Sequence, residues 1–354
     1  MIFSPVQIGR LEISNRIAVA PMCQYSAVDG VMTDWHTQHL MQLGYSAAGL
    51  IMVEATAVER VGRITHNCVG IYNDLCESSI KKTLEQARSV APTNTSFGIQ
   101  LAHAGRKAST QRPWEGRKSL TYEEDPWITK GASPVPFDIG WHVPQLLSQK
   151  DMQKLKDKFV EASIRSVKIG FDLIEIHGTH GYLFHQFLSQ ISNKREDKYG
   201  GNLENRMRFP LEVFAAIKNV LPKDFPLGMR ITGTEWEKDG IIESDAIIFA
   251  QELEKIGCHY VCVSSGGNTP NPQIPIGPHY QVHLAKMIKD NTNMIIRAVG
   301  MISDPKKAND IIINKDADMV AMARAFLSNP RWVWDAAKIL NYSIDVPPQY
   351  ARRL

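Results

Sequence analysis

The chain changes from a short apolar run to a cluster of polar side chains in the segment Phe171-Asp172-Leu173-Ile174-Glu175-Ile176-His177-Gly178-Thr179-His180-Gly181-Tyr182. The first half predicts a buried parallel strand, and two imidazoles and a phenol follow it directly. Polar side chains at the carboxyl ends of the strands form the active site of a (βα)8 barrel, because the loops there meet at one mouth. We therefore predict that this segment supplies hydrogen-bond donors for a substrate oxygen, with a proton donor beside them.

Short apolar runs of the same kind recur along the whole chain. They are Ile17–Ala20, Leu50–Val53, Phe97–Leu101, Leu173–Ile176, Leu227–Ile231, Tyr260–Val263, Met294–Ala298 and Met319–Met322. Runs that are short and rich in β-branched residues are typical of strands buried on both faces. Helical patterns lie between them, of which the clearest are Asp151–Ile169, Asp245–Ile256 and Lys306–Ile313.

Strand–helix units in this regular succession predict one α/β domain over residues 1–354, a (βα)8 TIM barrel. An open doubly wound sheet is the alternative, but its dinucleotide-binding G-x-G-x-x-G turn is missing after the early strands. A proline- and tryptophan-rich insertion follows the third strand, over about Ala104–Ser148. Long loops inside compact domains are usually functional. We predict a cap over the barrel mouth, with a small hairpin and with Trp114, Trp127 and Trp141 buried.

Charge and cysteine content exclude several classes of protein. The 40 basic and 37 acidic residues give a net charge of +3, which is too mild for nucleic acid or an anionic membrane surface. We expect neither a signal peptide nor a membrane span, since the chain opens without a basic and apolar leader and no apolar run approaches about 18 residues. The five cysteines lack the dense spacing of a disulfide scaffold, so we expect a cytoplasmic protein with reduced thiols.

Polar groups follow most of the predicted strands. They include Gln24, Tyr25, Glu54, Gln100, His103, Arg106, Lys107, His177, His180, Tyr182, Arg230, Ser264 and Arg324. Gly300 and Arg324 follow the seventh and eighth strands, where barrels of this type often bind a phosphate. Taken singly, each residue is explained equally well by a structural role, Gly300 as a turn glycine and Arg324 as the partner of an acidic side chain. Together they favour a phosphate site.

His177 and His180 have a spacing that can ligate zinc, but a zinc site needs a further ligand. The sequence has no Cys-x-x-Cys motif, and no carboxylate pair follows the neighbouring strands. We therefore expect no metal and interpret both imidazoles as hydrogen-bond donors to an organic oxygen.

Taken in order, several motifs resemble the old yellow enzyme family of flavin-dependent ene-reductases. The motifs are Ala20–Ser26, Gly98–Lys107, Glu175–Leu183, Arg195–Arg206 and Ala298–Met301. The resemblance covers essentially the whole chain. Cys23 after Pro-Met and the closing Gln349–Arg352 resemble the branch of thermophilic-type bacterial enzymes and xenobiotic reductases.

The resemblance implies an NADPH dehydrogenase that holds FMN non-covalently in the barrel. It implies reduction of activated C=C bonds, in α,β-unsaturated carbonyl or nitro compounds, by ping-pong hydride transfer from NADPH or NADH. The implied cofactor-binding residues are Ala20, Pro21, Met22, Cys23, Ala57, Gln100, Arg230, Gly300, Ala323 and Arg324.

The resemblance also implies roles around the substrate. His177 and His180 would bind the carbonyl or nitro oxygen, Tyr182 would protonate the α carbon, and Cys23 would tune the flavin potential. Tyr25 would line the substrate pocket. A homodimer or homotetramer is implied, in which Arg352 reaches a neighbouring subunit's pocket, although the chain ends in Arg353-Leu354 where relatives often carry an aromatic residue.

Two other functions fit parts of the sequence. A (βα)8 lyase or isomerase acting on a phosphorylated sugar would use the same phosphate site, with Lys107 or Glu54 as the base. A binding protein would use the tryptophan-rich cap as an interface, but this hypothesis leaves the polar groups after the strands unexplained.

Overall fold

The computed structural model describes residues 1–353. The strands are β1 (Val6–Ile8), β2 (Leu11–Ile13), β3 (Ile17–Val19), β4 (Leu50–Ala57), β5 (Ser96–Ala102), β6 (Lys130–Gly131), β7 (Gln145–Leu146), β8 (Leu173–Gly178), β9 (Leu227–Thr232), β10 (Tyr260–Ser264), β11 (Ile295–Ala298) and β12 (Met319–Met322). The α-helices are α1 (Asp34–Gly44), α2 (Asp74–Val90), α3 (Gln149–Ile169), α4 (Leu183–Leu188), α5 (Leu203–Val220), α6 (Glu243–Lys255), α7 (Val282–Lys289), α8 (Pro305–Ile313), α9 (Arg324–Ser328) and α10 (Trp332–Ile339).

A closed parallel barrel forms the centre of the molecule. Its strands run in the order β10-β11-β12-β3-β4-β5-β8-β9, and all neighbours pair in parallel. Each predicted apolar run coincides with one of these strands, and helices connect them. The predicted (βα)8 barrel is therefore confirmed.

The pairing register brings distant polar residues together near the carboxyl ends of the strands. Gln100 on β5 lies opposite Glu175 on β8. His177, two residues further along β8, lies opposite Arg230 on β9. Between β4 and β5 the register shifts at Glu54, which is the extra residue of a β-bulge. Bulges of this kind redirect a side chain.

A buried cluster fills the inside of the barrel and includes Leu50, Met52, Leu173 and Met319. A second, larger cluster packs the outer face of the strands against the helices. Side chains facing alternately into these two clusters explain why the strands are apolar without alternation.

The β1–β2 hairpin covers the amino-terminal end of the barrel, since Val6, Ile8 and Ile13 belong to the inner cluster. Its turn contains Gly9 at φ 54°, and a Cβ atom there would lie 2.4 Å from the carbonyl oxygen of Asp224. Only glycine fits this left-handed, closely packed position. The open end of the barrel is therefore the carboxyl end.

Two of the predicted helices show why their boundaries fall where they do. Helix α3 begins two residues earlier than expected, because Ser148 and Asp151 form a capping box, and it ends at Gly170 with φ 105°. Helix α8 begins at Pro305, one residue before the predicted pattern, and the Asp304 side chain accepts from the backbone N–H of Lys307.

The insertion after β5 is ordered and contains short elements. An antiparallel bridge joins Thr110 to Ser119 and closes a hairpin, and β6 pairs in parallel with β7. The expected burial of all three tryptophans is wrong for Trp114, which is 64% exposed and contacts Tyr25 edge-on. Trp127 is half-buried, and its Nε1 donates to the carbonyl oxygen of Val61 at 2.9 Å.

None of the helices in residues 1–353 is both long and apolar enough to cross a membrane.

Candidate functional site

A cavity of about 570 Å³ opens at the carboxyl end of the barrel. Several predicted cofactor- and substrate-binding residues line it, namely Ala20, Pro21, His180, Arg230, Gly300, Ala323 and Arg324. Ser264, Tyr280 and Gln281 line it as well. A cavity of this volume suits a cofactor-sized ligand.

The two imidazoles and the phenol of the opening segment form one cluster beside this cavity. The ring centroid of His177 lies 5.2 Å from that of His180 and 4.9 Å from that of Tyr182. The Nε2 atom of His180 lies 2.9 Å from the Oγ atom of Ser264. The structure therefore brings together the three residues to which the sequence assigned substrate binding and proton transfer.

Burial fixes the protonation of this cluster. Burial and the neighbouring Arg230 guanidinium hold the pKa values of His177 and His180 well below their ordinary value, so both imidazoles are neutral near pH 7. Burial, with smaller contributions from Cys23 and Cys68, raises the pKa of Tyr182 above its ordinary value. The cluster thus offers neutral N–H donors and a phenol that keeps its proton.

The loop between these residues is held in an unusual backbone conformation. His180 and Gly181 are both left-handed, with φ values of 60° and 74°. A Cβ atom on Gly181 would lie 2.3 Å from the carbonyl oxygen of Gly267. Lys107 stabilises this loop, since its Nζ donates to the carbonyl oxygens of His180 at 2.9 Å and Gly267 at 2.8 Å. Burial and Arg106 lower the pKa of Lys107 to about 7.

A buried histidine–glutamate pair supports the same loop from below. The Nδ1 atom of His185 accepts from the backbone N–H of Gly181 at 2.9 Å, so its Nε2–H faces Glu235 Oε1 at 2.7 Å. Glu235 also accepts from Ser189 and from the backbone N–H of Ile241. This pair could not be predicted from the sequence, because nothing in the chain indicates that residues 185 and 235 meet.

Two buried polar atoms beside the cavity have no protein partner in residues 1–353. They are Nε of Arg230 and Nδ1 of His177. Arg230 makes one protein hydrogen bond, from Nη2 to Ser264 Oγ at 3.3 Å. Buried polar atoms of this kind are rarely left unpaired, and their presence fits a polar ligand such as the heteroatom-rich ring of a flavin.

The expected phosphate residues lie together at the other side of the cavity. Gly300 has φ 121°, and a Cβ atom there would lie 2.9 Å from Nε2 of Gln281. Arg324 is exposed and has no ion pair among the acids of residues 1–353. A close backbone approach and a free guanidinium suit a phosphate group.

Cys23 is a half-buried thiol rather than a thiolate. Burial first, and Glu54 second, raise its pKa well above the ordinary value. Glu54 accepts from the backbone N–H of Gln24 at 3.1 Å, and its second oxygen lies 3.6 Å from Nε2 of His36. The protonated thiol is consistent with a role in tuning the flavin potential and argues against a nucleophile.

Glu54 should make the stability of the protein depend on pH. Burial raises its pKa from 4.5 to about 8. Because the folded protein keeps a proton that the unfolded chain releases, this contribution to stability is fully present below pH 4.5 and is lost as pH rises towards 8. Glu54→Gln should abolish this loss of stability. In the wild type the free energy of unfolding, measured with urea, should fall by on the order of a few kcal/mol between pH 5 and 8. Glu85→Gln, at an exposed helix position, is the control, and a wild-type slope retained in Glu54→Gln would contradict the assignment.

Some predicted residues lie outside the main cavity. Ala57 and Tyr182 line a small adjoining pocket. Met22 instead borders a buried pocket with His36 and Glu54, so its side chain points away from the mouth. Tyr25 has φ 49° and adjoins the mouth through its contact with Trp114.

Arg352 is exposed in the closing 3-10 helix, Pro348–Arg353. This segment packs beside the end of α1, since Tyr350 stacks on Tyr45 at 5.9 Å and lies over Arg331. Because α1 ends where the next strand begins, this is the amino-terminal side of the barrel. Arg352 therefore does not reach the mouth of its own chain.

A larger cleft of about 960 Å³ lies between the end of α2 and residues Asp345–Tyr350. Among the side chains that the structure describes, its lining offers no imidazole, guanidinium or ammonium group. The smaller cavity at the barrel mouth, with its neutral imidazoles, phenol and free guanidinium, is therefore the candidate active site. Fold and site together define a barrel enzyme that holds a phosphorylated, ring-containing cofactor.

Comparisons with known proteins agree with this class. The pattern of the NADH:flavin oxidoreductase / NADH oxidase family matches residues 1–342. The NADPH dehydrogenase of Bacillus cytotoxicus is 37% identical over 353 residues, covering 99% of this chain and 96% of that protein. The chain therefore belongs to the NADH:flavin oxidoreductase / NADH oxidase family, which confirms the resemblance to old yellow enzymes. It is an oxidoreductase that uses FMN and a nicotinamide reductant.

Two solved structures share the fold. A 2-naphthoyl-CoA reductase in complex with 2-naphthoyl-CoA superposes with a TM-score of 0.83 at 20% identity, covering 95% of this chain but 52% of that one. The chain thus spans about half the length of that reductase. Morphinone reductase in complex with tetrahydroNAD superposes with a TM-score of 0.77 at 24% identity, covering 98% of this chain and 93% of that one.

Proposed function

We propose that this protein is an ene-reductase, which reduces the activated C=C bond of α,β-unsaturated carbonyl or nitro compounds. The observation that supports it best is the cluster of His177, His180 and Tyr182 beside the cavity. A substrate oxygen needs donors that do not give up their proton, and the α carbon needs a group that does. Neutral imidazoles and a buried phenol meet these two needs in one place.

The two histidines and the tyrosine of this cluster have separate roles in the proposed reaction. His177 donates a hydrogen bond to the substrate oxygen, and His180 donates one through the ring nitrogen that does not meet Ser264, so both draw electron density away from the β carbon. Bound FMN supplies the hydride that this carbon receives. Tyr182 holds the proton for the α carbon, and its raised pKa keeps that proton in place until negative charge develops there.

The cofactor-binding roles follow the shape of the cavity. Arg230, with its unpartnered Nε, would place a fixed positive charge beside the polar edge of the flavin ring. Gly300, Ala323 and Arg324 would hold the phosphate. Ala20, Pro21, Cys23, Ala57 and Gln100 would surround the ring, and Met22 would contribute its backbone only, since its side chain packs elsewhere. NADPH or NADH would occupy the same mouth before the substrate, giving ping-pong kinetics.

Assembly and location are further parts of the proposal. The position of Arg352, away from its own mouth, is consistent with a homodimer or homotetramer in which it completes a neighbour's pocket next to Tyr25. The five cysteines are all unpaired, which supports a cytoplasmic location.

The lyase or isomerase hypothesis loses both of the bases that the sequence suggested for it. Lys107 donates to two backbone carbonyls, and Glu54 accepts from the backbone beneath Cys23. Neither group is free to abstract a substrate proton.

Anaerobic flavin spectroscopy tests the proposed function. The purified protein should be yellow, should bleach on addition of NADPH or NADH, and should regain its colour when cyclohexenone or a nitroalkene is added. Bleached protein that stays colourless with both alkenes, yet reoxidises in air, would contradict alkene reduction while leaving the flavin site intact.

A further inference from the structure

Inside the barrel, just below the mouth, four buried polar side chains form a connected network. Gln100 Nε2 donates to Glu175 Oε1 at 2.7 Å. Glu175 Oε2 accepts from Arg297 Nη2 and, at 3.3 Å, from the Tyr260 hydroxyl. All four side chains are almost completely buried. Only Gln100 among them belongs to the expected cofactor-binding set.

This network sets the orientation of the Gln100 amide. An ionised carboxylate only accepts hydrogen bonds, so the amide must turn its NH2 group towards Glu175. The Oε1 atom of Gln100 is then left without a protein partner in residues 1–353. Gln100 therefore presents its Oε1 atom to a ligand as a hydrogen-bond acceptor.

Arg297 keeps the carboxylate in the form that this orientation requires. Burial alone would lower the pKa of Arg297, but Glu175 raises it above its ordinary value. The two side chains form a buried ion pair, in which Glu175 Oε2 accepts from Arg297 Nη2. With Glu175 neutral, the Gln100 amide could turn over and present its NH2 group to the ligand instead.

Stability does not explain the network. The interior of such barrels is normally filled by branched apolar side chains, and a buried ion pair often contributes no more than apolar residues of the same size. Arg297 also leaves its Nε and Nη1 atoms without partners in residues 1–353. A costly arrangement next to a cofactor-binding amide points to a role in recognition.

We propose that Glu175 and Arg297 are positioning residues that lock Gln100 as a hydrogen-bond acceptor for a ring N–H of the bound cofactor. For a flavin this group is the N3–H of the pyrimidine edge. The inference rests on the proposed flavin site and deepens it, since it assigns the direction of one hydrogen bond and the residues that set it.

Binding of two flavins to flavin-stripped protein tests the proposal, with quenching of flavin fluorescence as the readout. N3-methyl-FMN has the same phosphate and ring but no N3–H. Wild-type protein should bind FMN about 10-fold or more tightly than N3-methyl-FMN, as expected for one lost hydrogen bond in a buried site. In Glu175→Gln and in Arg297→Met this preference should fall to about threefold or less.

Two further variants distinguish a loss of Gln100 orientation from a general change in the packing of the barrel interior. Gln100→Met removes the acceptor itself. Any preference for FMN over N3-methyl-FMN that remains in this variant comes from the bulk of the methyl group alone. Met319→Leu, opposite Arg297 in the barrel register, perturbs the packing beside the network but removes none of its hydrogen-bonding groups, and it should keep the wild-type preference. If Glu175→Gln does not fold, Arg297→Met carries the same prediction.

The outcomes are distinct. A wild-type preference retained in Glu175→Gln and Arg297→Met, but lost in Gln100→Met, would overturn the positioning role while leaving the flavin site in place. An equal preference in wild type and Gln100→Met would also overturn it, because Gln100 would then not accept a hydrogen bond from the flavin N3–H. Wild-type protein that binds neither flavin would overturn both the inference and the proposed function.

Discussion

Replacing Tyr182 by phenylalanine should slow enone reduction by about 10²- to 10⁴-fold, the range expected when a general acid is removed. Flavin reduction by NADPH should stay within about twofold, because that half-reaction needs no proton from the phenol. The ring of Tyr182 packs at 4.9 Å against His177 and lies 5.4 Å from the Lys107 ammonium. Phenylalanine keeps both ring contacts, so the substitution removes the hydroxyl and little else.

Stopped-flow spectroscopy of the two half-reactions separates these effects. Tyr199→Phe is a matched control, since this tyrosine packs on Phe209 far from the mouth and bonds only weakly to Glu212. It should leave both rates unchanged. Equal slowing of the two half-reactions in Tyr182→Phe would show that the hydroxyl supports the mouth rather than the proton transfer.

Much of the fold could be predicted from sequence because buried parallel strands leave a local signal. Runs such as Leu50–Val53 and Met319–Met322 are apolar on both faces, and each coincides with a barrel strand. The polar groups after the strands could be predicted for the same reason. Once the strands close into a barrel, their carboxyl ends must converge, so His180, Arg230 and Gly300 meet around one cavity.

The supporting residues could not be predicted, because their roles depend on tertiary contacts alone. Glu175 was part of the opening strand, but only the closed barrel brings Arg297, 122 residues away, against it. Lys107 was a possible base until the structure showed its ammonium bound to the carbonyls of His180 and Gly267. Trp114 was expected to be buried as an aromatic residue, but it lies at the hairpin tip, where little chain covers it.

The supporting contacts change how the mouth itself is understood. The segment from His177 to Tyr182 contributes the reacting groups, yet its left-handed residues depend on Lys107 above and His185 with Glu235 below. Strained backbone of this kind persists only where the surroundings hold it. The geometry of the two imidazoles and the phenol is therefore set by residues that need not touch the substrate.

Arg324→Met should weaken FMN binding by about 10- to 100-fold, since a charge-assisted hydrogen bond contributes roughly 1.5–3 kcal/mol. Riboflavin, which lacks the phosphate, should bind the variant and the wild type equally. Arg324 has no ion pair within residues 1–353, so its loss leaves no buried acid unpaired. The effect on FMN should also shrink at high salt, because the guanidinium is exposed and its attraction for phosphate is screened.

Fluorescence titration of flavin-stripped protein with FMN and with riboflavin measures both constants. Arg10→Met is the matched control, because it removes the same charge at the amino-terminal end of the barrel, where Arg10 lies over Phe225. It should leave both flavins unaffected. An equal loss of FMN and riboflavin binding in Arg324→Met would mean that this arginine maintains the shape of the mouth. Unchanged binding of both would place the phosphate elsewhere, and the assignment of Gly300 and Ala323 would fall with that of Arg324.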